Sequence, residues 1–181
     1  MLPVRVHTFI SAPREEVFDF LADMANRPSW TDHYMKEFRL ENTRTHGVGA
    51  AARYRLEPPL YRQWVATEIV EADRARRIVE ATRGGRLGRA EGEVTFDLSP
   101  QGRRLTRLDM TIHSEPGTLR ERVQEKLGAR RWLRRRSKKA LERLRTILEE
   151  PRTEPLPRAT VAGWEPARAP RFGISTREAR G

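Results

Sequence analysis

The sequence predicts an α+β chain: one strand, two short helices, a run of antiparallel strands and one long closing helix. Three observations carry this. Residues 3–11, PVRVHTFIS, alternate apolar and polar with the period of two that marks a strand. Residues 34–115 hold strand-like segments separated by turn-rich breaks. From about 118 to 150 apolar residues recur at helical spacing.

In the first strand Val4, Val6, Thr8 and Ile10 take one side and Arg5, His7 and Phe9 the other. In APREEVFDFLADM, Pro13 suits a first helical turn because its missing N–H has no partner there, and Glu15 and Glu16 sit at the positive end of the helix dipole. Val17, Phe18, Leu21 and Met24 supply the apolar stripe. The stretch NRPSWTDHY breaks this helix at Pro28 and predicts a second, short one. Strands are then expected at 34–43, 48–57, 62–72, 76–84, 89–99 and 103–114, divided by THG, PPLY, ADRA, GGRLG and SPQG, in an antiparallel meander. Pro116 and Gly117 end the meander.

In the closing helix Leu119, Val123, Leu127, Leu133, Ala140, Leu141, Leu144 and Leu148 form one broad stripe. Most of the arginines in RRWLRRRSKKALERLRTILEE fall outside it and form a solvated face. Lys126 and Arg130 fall inside the stripe, so they reach past it or point at something the helix covers. Trp132 falls on the far side among Arg135, Lys139 and Arg143; it either stacks on Arg136, or a kink at Gly128 turns it toward the core.

The chain is expected to form one domain over residues 1–150, followed by a flexible tail over 151–181 with five prolines and no sustained periodicity, in which Trp164 and Phe172 dock or hang loose. The net charge of +11 is segregated: residues 1–117 carry +1, residues 118–150 carry +7 and the tail carries +3. Such asymmetry can mark an anionic partner, RNA or acidic lipid, contacted through residues 120–145. With no cysteine there is no disulfide, thiol nucleophile or thiolate metal site. His7, His33, His46 and His113 show no metal-binding spacing, and no phosphate loop or nucleophile elbow is present, so no metal or cofactor is expected. No apolar run reaches the length of a membrane span, and MLPVRVHTFISAP lacks the charged-then-apolar order of a secretion signal; a cytoplasmic protein is expected.

The segments ISAPREEVFDFLADMANRPSW, GVGAAARYRL and ALERLRTILEE, in this element order, resemble the START-like (SRPBCC) helix-grip superfamily, and more narrowly its polyketide cyclase/dehydrase and lipid-transport group. The resemblance covers roughly residues 3–150. It implies a curved seven-stranded antiparallel sheet wrapped around a long C-terminal helix, with two short helices after strand 1. A space is left between sheet and helix unless large side chains fill it. The inward candidates mix small Ala50, Ala52, Ala90 and Gly92 with larger Tyr54, Val94, Phe96, Leu98, Leu108, Met110 and Ile112, while Phe18, Trp30 and Tyr34 stand at the mouth. The expected ligand-binding set is Phe18, Trp30, Tyr34, Ala52, Tyr54, Trp64, Phe96, Met110, Leu127 and Arg130.

Aromatase/cyclase relatives carry a pattern similar to W-x-S-x-R on the strand matching 62–70. Here Trp64 is kept, while Ala66 stands for the serine and Glu68 for the arginine, exchanging a cation that would steady an enolate for an anion that repels it. A hairpin centred on PPLY pairs 53 with 66 and 51 with 68. One face then holds Arg53, Arg55, Trp64 and Glu68, and the other Ala52, Tyr54, Leu56, Val65 and Ile69. Hydrophobicity buries the second face and makes Glu68 a surface partner of Arg53; the resemblance turns Trp64 and Glu68 inward. The expected function is binding or transport of a small hydrophobic ligand, lipid-, isoprenoid- or polyketide-like. The alternatives are a cyclase/dehydratase-like enzyme using Glu68, Tyr54 or His33 for proton handling, and a basic helix that binds RNA, the ribosome or acidic membrane.

Overall fold

The computed structural model describes residues 3–59, 61–84, 90–115, 128–150 and 155–161. Strand β1 (Val4–Ile10) leads into helix α1 (Arg14–Ala22), a short 3₁₀ turn (Met24–Asn26) and helix α2 (Pro28–Thr31). Six strands follow: β2 (Met35–Leu40), β3 (Ala51–Leu56), β4 (Gln63–Asp73), β5 (Arg77–Gly84), β6 (Ala90–Gly102) and β7 (Leu105–Glu115). Helix α3 (Arg130–Glu149) closes the fold. The sheet has seven strands in the order β1-β7-β6-β5-β4-β3-β2, and every neighbouring pair is antiparallel.

The strand order follows from hairpin connections, with one long-range pairing that brings β1 beside β7, Val4 opposite Ile112 and Ile10 opposite Thr106. Register shifts in β2 between Lys36 and Arg39, in β4 between Ile69 and Glu71, and near the end of β6 between Pro100 and Gly102 interrupt the ladders. Such bulges bend and twist a sheet, which lets this one curl around the helices. Gly92 marks a close approach: a Cβ there would stand 2.6 Å from the His113 carbonyl oxygen and 2.8 Å from Thr82 Oγ1.

The hairpin between β3 and β4 pairs Arg53 with Ala66 and Ala51 with Glu68, as its hydrophobic pattern predicts. Tyr54, Val65 and Ile69 are buried, whereas Trp64 and Glu68 are exposed on the convex face. Hydrophobic burial therefore decides the direction of this strand, and the inward placement of Trp64 and Glu68 is overturned. Arg53 lies over the Trp64 ring at 4.7 Å and does not pair with Glu68.

Helix α3 packs on β1 and α2. Its buried residues are Ser137, Ala140, Leu141, Leu144 and Ile147; of the expected stripe Ala140, Leu141 and Leu144 are buried and Leu133 and Leu148 half-buried, while Ser137 and Ile147 are added. Leu119, Val123, Lys126 and Leu127 lie outside the described residues. Two residues before the helix, Gly128 has φ +111°, a conformation closed to most L-residues, and the part of the expected helix from 118 to 127 lies outside the described residues. The far end is tied down where Glu149 Oε1 accepts the Ser11 backbone N–H at 2.7 Å.

Residues 155–161, read from the sequence as part of the tail, lie along β2. The Leu40 N–H donates to the Thr160 carbonyl at 2.9 Å and the Ala159 N–H to the Ala25 carbonyl at 2.8 Å. Arg158 donates to Asn26 Oδ1 and Asp23 Oδ2, each at 2.7 Å. Trp164 and Phe172 lie outside the described residues.

Candidate functional site

The concave side of the sheet divides into a solid half and a hollow half. The solid half is built on α1 and α2. Leu21, Trp30, Ile69, Ile78, Phe96 and Leu144 are almost wholly buried there, with Trp30 edge-on to Phe96 at 6.4 Å. Inside it Arg27 and Glu80, each 3% exposed, form an ion pair. Thr67 Oγ1 donates to the other Glu80 oxygen at 3.4 Å, and the guanidinium lies 4.9 Å from the Trp30 ring centre and 5.2 Å from that of Phe96. The aromatic faces and the carboxylate replace the water that these charges lose.

The hollow half is a cavity of about 140 Å³ between the first turns of α3 and the ends of the hairpins. Its boundary crosses every central strand at one inward position. Tyr54 lines it and Ala52 does not; Val65 does and Thr67 does not; Thr82 does and Glu80 does not. On β6 and β7 the line falls between Val94 and Phe96 and between Met110 and Leu108. Ala129, just before α3, and Trp132 and Leu133 on it cover the cavity, and Gln63, Glu91, His113, Ser114, Glu115 and Arg130 bring polar atoms to its lining.

Of the residues expected to bind ligand, Tyr34, Tyr54, Met110 and Arg130 line this cavity. Phe18, Trp30, Ala52 and Phe96 belong to the packed core next to it, because α1 and α2 fill that part of the concave face. Trp64 is on the convex face, and Leu127 lies outside the described residues. Arg130 is exposed at the rim and donates from Nη2 to the Pro3 carbonyl at 3.2 Å, which is how a cation inside the apolar stripe escapes burial.

Trp132 combines both readings of its surroundings. It lies within α3, where it stands edge-on to Tyr34 at 6.2 Å and lines the cavity. Arg136 also lies 5.9 Å from its ring centre. Tyr34 is buried, and neither its hydroxyl nor that of Ser137, its neighbour on α3, has a hydrogen-bond partner of good geometry. Burial raises the Tyr34 phenol to about 12. The Tyr54 ring stacks on Phe38 at 5.8 Å, and burial, reinforced by Tyr34 and Glu80, pushes its phenol far above the ordinary value. Both phenols stay protonated at neutral pH, so Tyr54 is a poor base.

Glu68, exposed on the convex face, has no access to the cavity. His33 is held between α2 and α3. Its Nε2 donates to the Arg136 carbonyl at 3.1 Å, and Nδ1 faces Arg143 Nη1 at 3.2 Å. Desolvation lowers its pKa, and Arg143, Lys139 and Arg136 act in the same sense. His33 therefore serves to join helices and is not part of the lining. Among the described residues no three His, Cys, Asp or Glu cluster as metal ligands, and no helix is long and apolar enough to cross a membrane.

The Arg27–Glu80 pair escaped the sequence reading. Its trace is a charge at an inward position of β5, since Glu80 lies between Ile78 and Thr82 on the alternation. Thr82, Ser114 and Leu133 also join the lining without having been singled out as binding residues.

No curated protein matches the sequence. Among solved structures the chain is similar to KanY, with a TM-score of 0.67 at 16% identity, covering 82% of this chain and 98% of that one. A protein from Chromobacterium violaceum gives a TM-score of 0.60 at 16% identity, with 82% and 99% covered. A START superfamily protein from Mycobacterium smegmatis gives 0.53 at 17%, with 81% and 94% covered. At these identities the likeness shows the shared fold, a curved sheet gripping a C-terminal helix. The sequence model described as polyketide cyclase / dehydrase and lipid transport matches residues 1–149. The chain belongs to the polyketide cyclase/dehydrase and lipid transport family.

Proposed function

We propose that this protein binds a small hydrophobic ligand, lipid-, isoprenoid- or polyketide-like, with its apolar end in the cavity and its polar end at the rim. The observation that carries the reading is the half-hollow concave face. Val65, Val94, Met110, Ile112 and Leu133 line the inner part, and Gln63, Ser114 and Arg130 stand at the opening. A few polar groups around an apolar chamber are the usual composition of small-molecule sites.

Size narrows the class. An apolar cavity of roughly 150 Å³ accepts a benzene-sized molecule, and this one is about 140 Å³. It takes one ring or a short branched chain, and a longer ligand leaves through the mouth. Proton handling by Glu68 is not part of this reading, because its side chain is on the other face of the sheet.

Native mass spectrometry with added fatty acids, quinones and aromatic polyketides tests it. Retention of one ligand per chain by the wild type, and its loss in Val94→Phe, which fills the chamber, are expected. Equal retention by both proteins would refute binding in this cavity.

A further inference from the structure

We infer that the basic face of α3 docks on an acidic phospholipid bilayer. Between Arg130 and Lys139 the chain carries seven cations and no carboxylate. Arg131, Arg134, Arg135, Lys138 and Lys139 stand at helical spacings of three, four, seven and eight, so they form one solvent-facing stripe, and all are exposed. Among the described residues Arg131, Arg134, Arg135 and Lys139 form no ion pair, whereas Arg143 and Arg145, one to two turns further along, pair with Asp32 and Glu149. The unpaired cations are thus confined to the first half of the helix.

That half also borders the cavity. A second concavity, lined by Pro59, Gly128, Arg131, Trp132, Arg135, Arg136 and Lys139, shares Trp132 with the cavity wall, and Pro58 and Pro59 divide the two. A cationic cleft beside the opening of an apolar chamber matches a surface that is anionic outside and apolar beneath. Nucleic acid fits less well: stacking platforms need open aromatic faces, and Trp132, the one aromatic residue of the cleft, already has Tyr34 at its edge and Arg136 over its ring. Docking this way sets the mouth at the headgroup layer. That consequence rests on the cavity being a ligand site; the docking itself does not.

The test is co-sedimentation of the full chain with vesicles of phosphatidylcholine, with and without phosphatidylglycerol, across a salt series. Each cation near an acidic bilayer contributes roughly fivefold to partitioning, so Arg131→Gln, Arg135→Gln and Lys139→Gln together are expected to weaken binding on the order of 100-fold. The matched set Arg5→Gln, Arg103→Gln and Arg104→Gln, exposed elsewhere, is expected to leave binding unchanged. Binding only to phosphatidylglycerol vesicles, weakening with salt, supports the proposal. Absence of binding at ~50 mM salt, equal binding to neutral vesicles, or equal loss in both variant sets overturns it. So does a single-stranded RNA oligonucleotide that binds more tightly than the vesicles and is lost in the same α3 variant. Circular dichroism of each variant establishes that it is folded, and the salt dependence of the wild type stands without any variant.

Discussion

Glu80 stands where the strand pattern of β5 calls for an apolar side chain and Arg27 is buried beside it at the start of α2, and they persist because each satisfies the other. Removing one member leaves an uncompensated buried charge, which costs about 3–5 kcal/mol, whereas replacing both with apolar groups of similar volume is often close to neutral. Arg27→Met and Glu80→Leu are each expected to lower the unfolding free energy, read from urea titration, by that scale. The double variant should fall well short of the sum; an additive double would show that the pair is not coupled. His33 offers a second test at this scale. Its folded pKa lies below the ordinary value of 6.5, so protonation favours the unfolded chain. The stability it contributes is present above about pH 6.5 and is lost as pH falls through the lower folded pKa. The midpoint of thermal unfolding should therefore drop more steeply on acidification in the wild type than in His33→Gln, and identical slopes would contradict the assignment.

Among the elements, α3 carries the most consequences. Its inner stripe is fixed by ordinary helical spacing, and Leu141 and Leu144 land in the core as that spacing requires. Just before the helix, Gly128 has a φ of +111°, which costs a residue with a Cβ roughly 1–3 kcal/mol. A Cβ at Gly128 would meet nothing within 4 Å, so the penalty of Gly128→Ala is conformational and not steric. This variant is expected to destabilise the fold by that amount, read from urea unfolding. Unchanged stability would refute the role given to the glycine. The β3–β4 hairpin is a case where the sequence offered two facings, one from hydrophobic alternation and one from the resemblance, and burial decides for the first. Alternation buries Tyr54 and Val65 and exposes Trp64 and Glu68, and a slip of one residue would reverse all four.

For the molecule as a whole, element order and the six-strand meander could be read from periodicity and turns, and the seven-stranded sheet that includes β1 was implied by the family resemblance, but the division into solid and hollow halves could not be read. Ala52 and Tyr54 share one face of β3, and Phe96 and Val94 are both buried on β6, yet only Tyr54 and Val94 reach the cavity. The boundary is set by how far α1 and α2 extend over a bent sheet, a three-dimensional fact that no strand pattern encodes. Arg27 and Glu80 were hidden for the same reason, being 53 positions apart in the chain. Charge segregation, by contrast, was plain in the sequence and survives as a basic face beside the mouth.

The central claim, that the chamber beneath α3 is a ligand site, is tested most directly by methyl NMR of the protein titrated with a single-ring apolar ligand such as toluene. Saturable shifts confined to Met110, Ile112 and Leu133, with Leu21, Ile78 and Leu144 unmoved, are predicted. Absence of saturable shifts, or shifts spread evenly through both halves of the concave face, would contradict it.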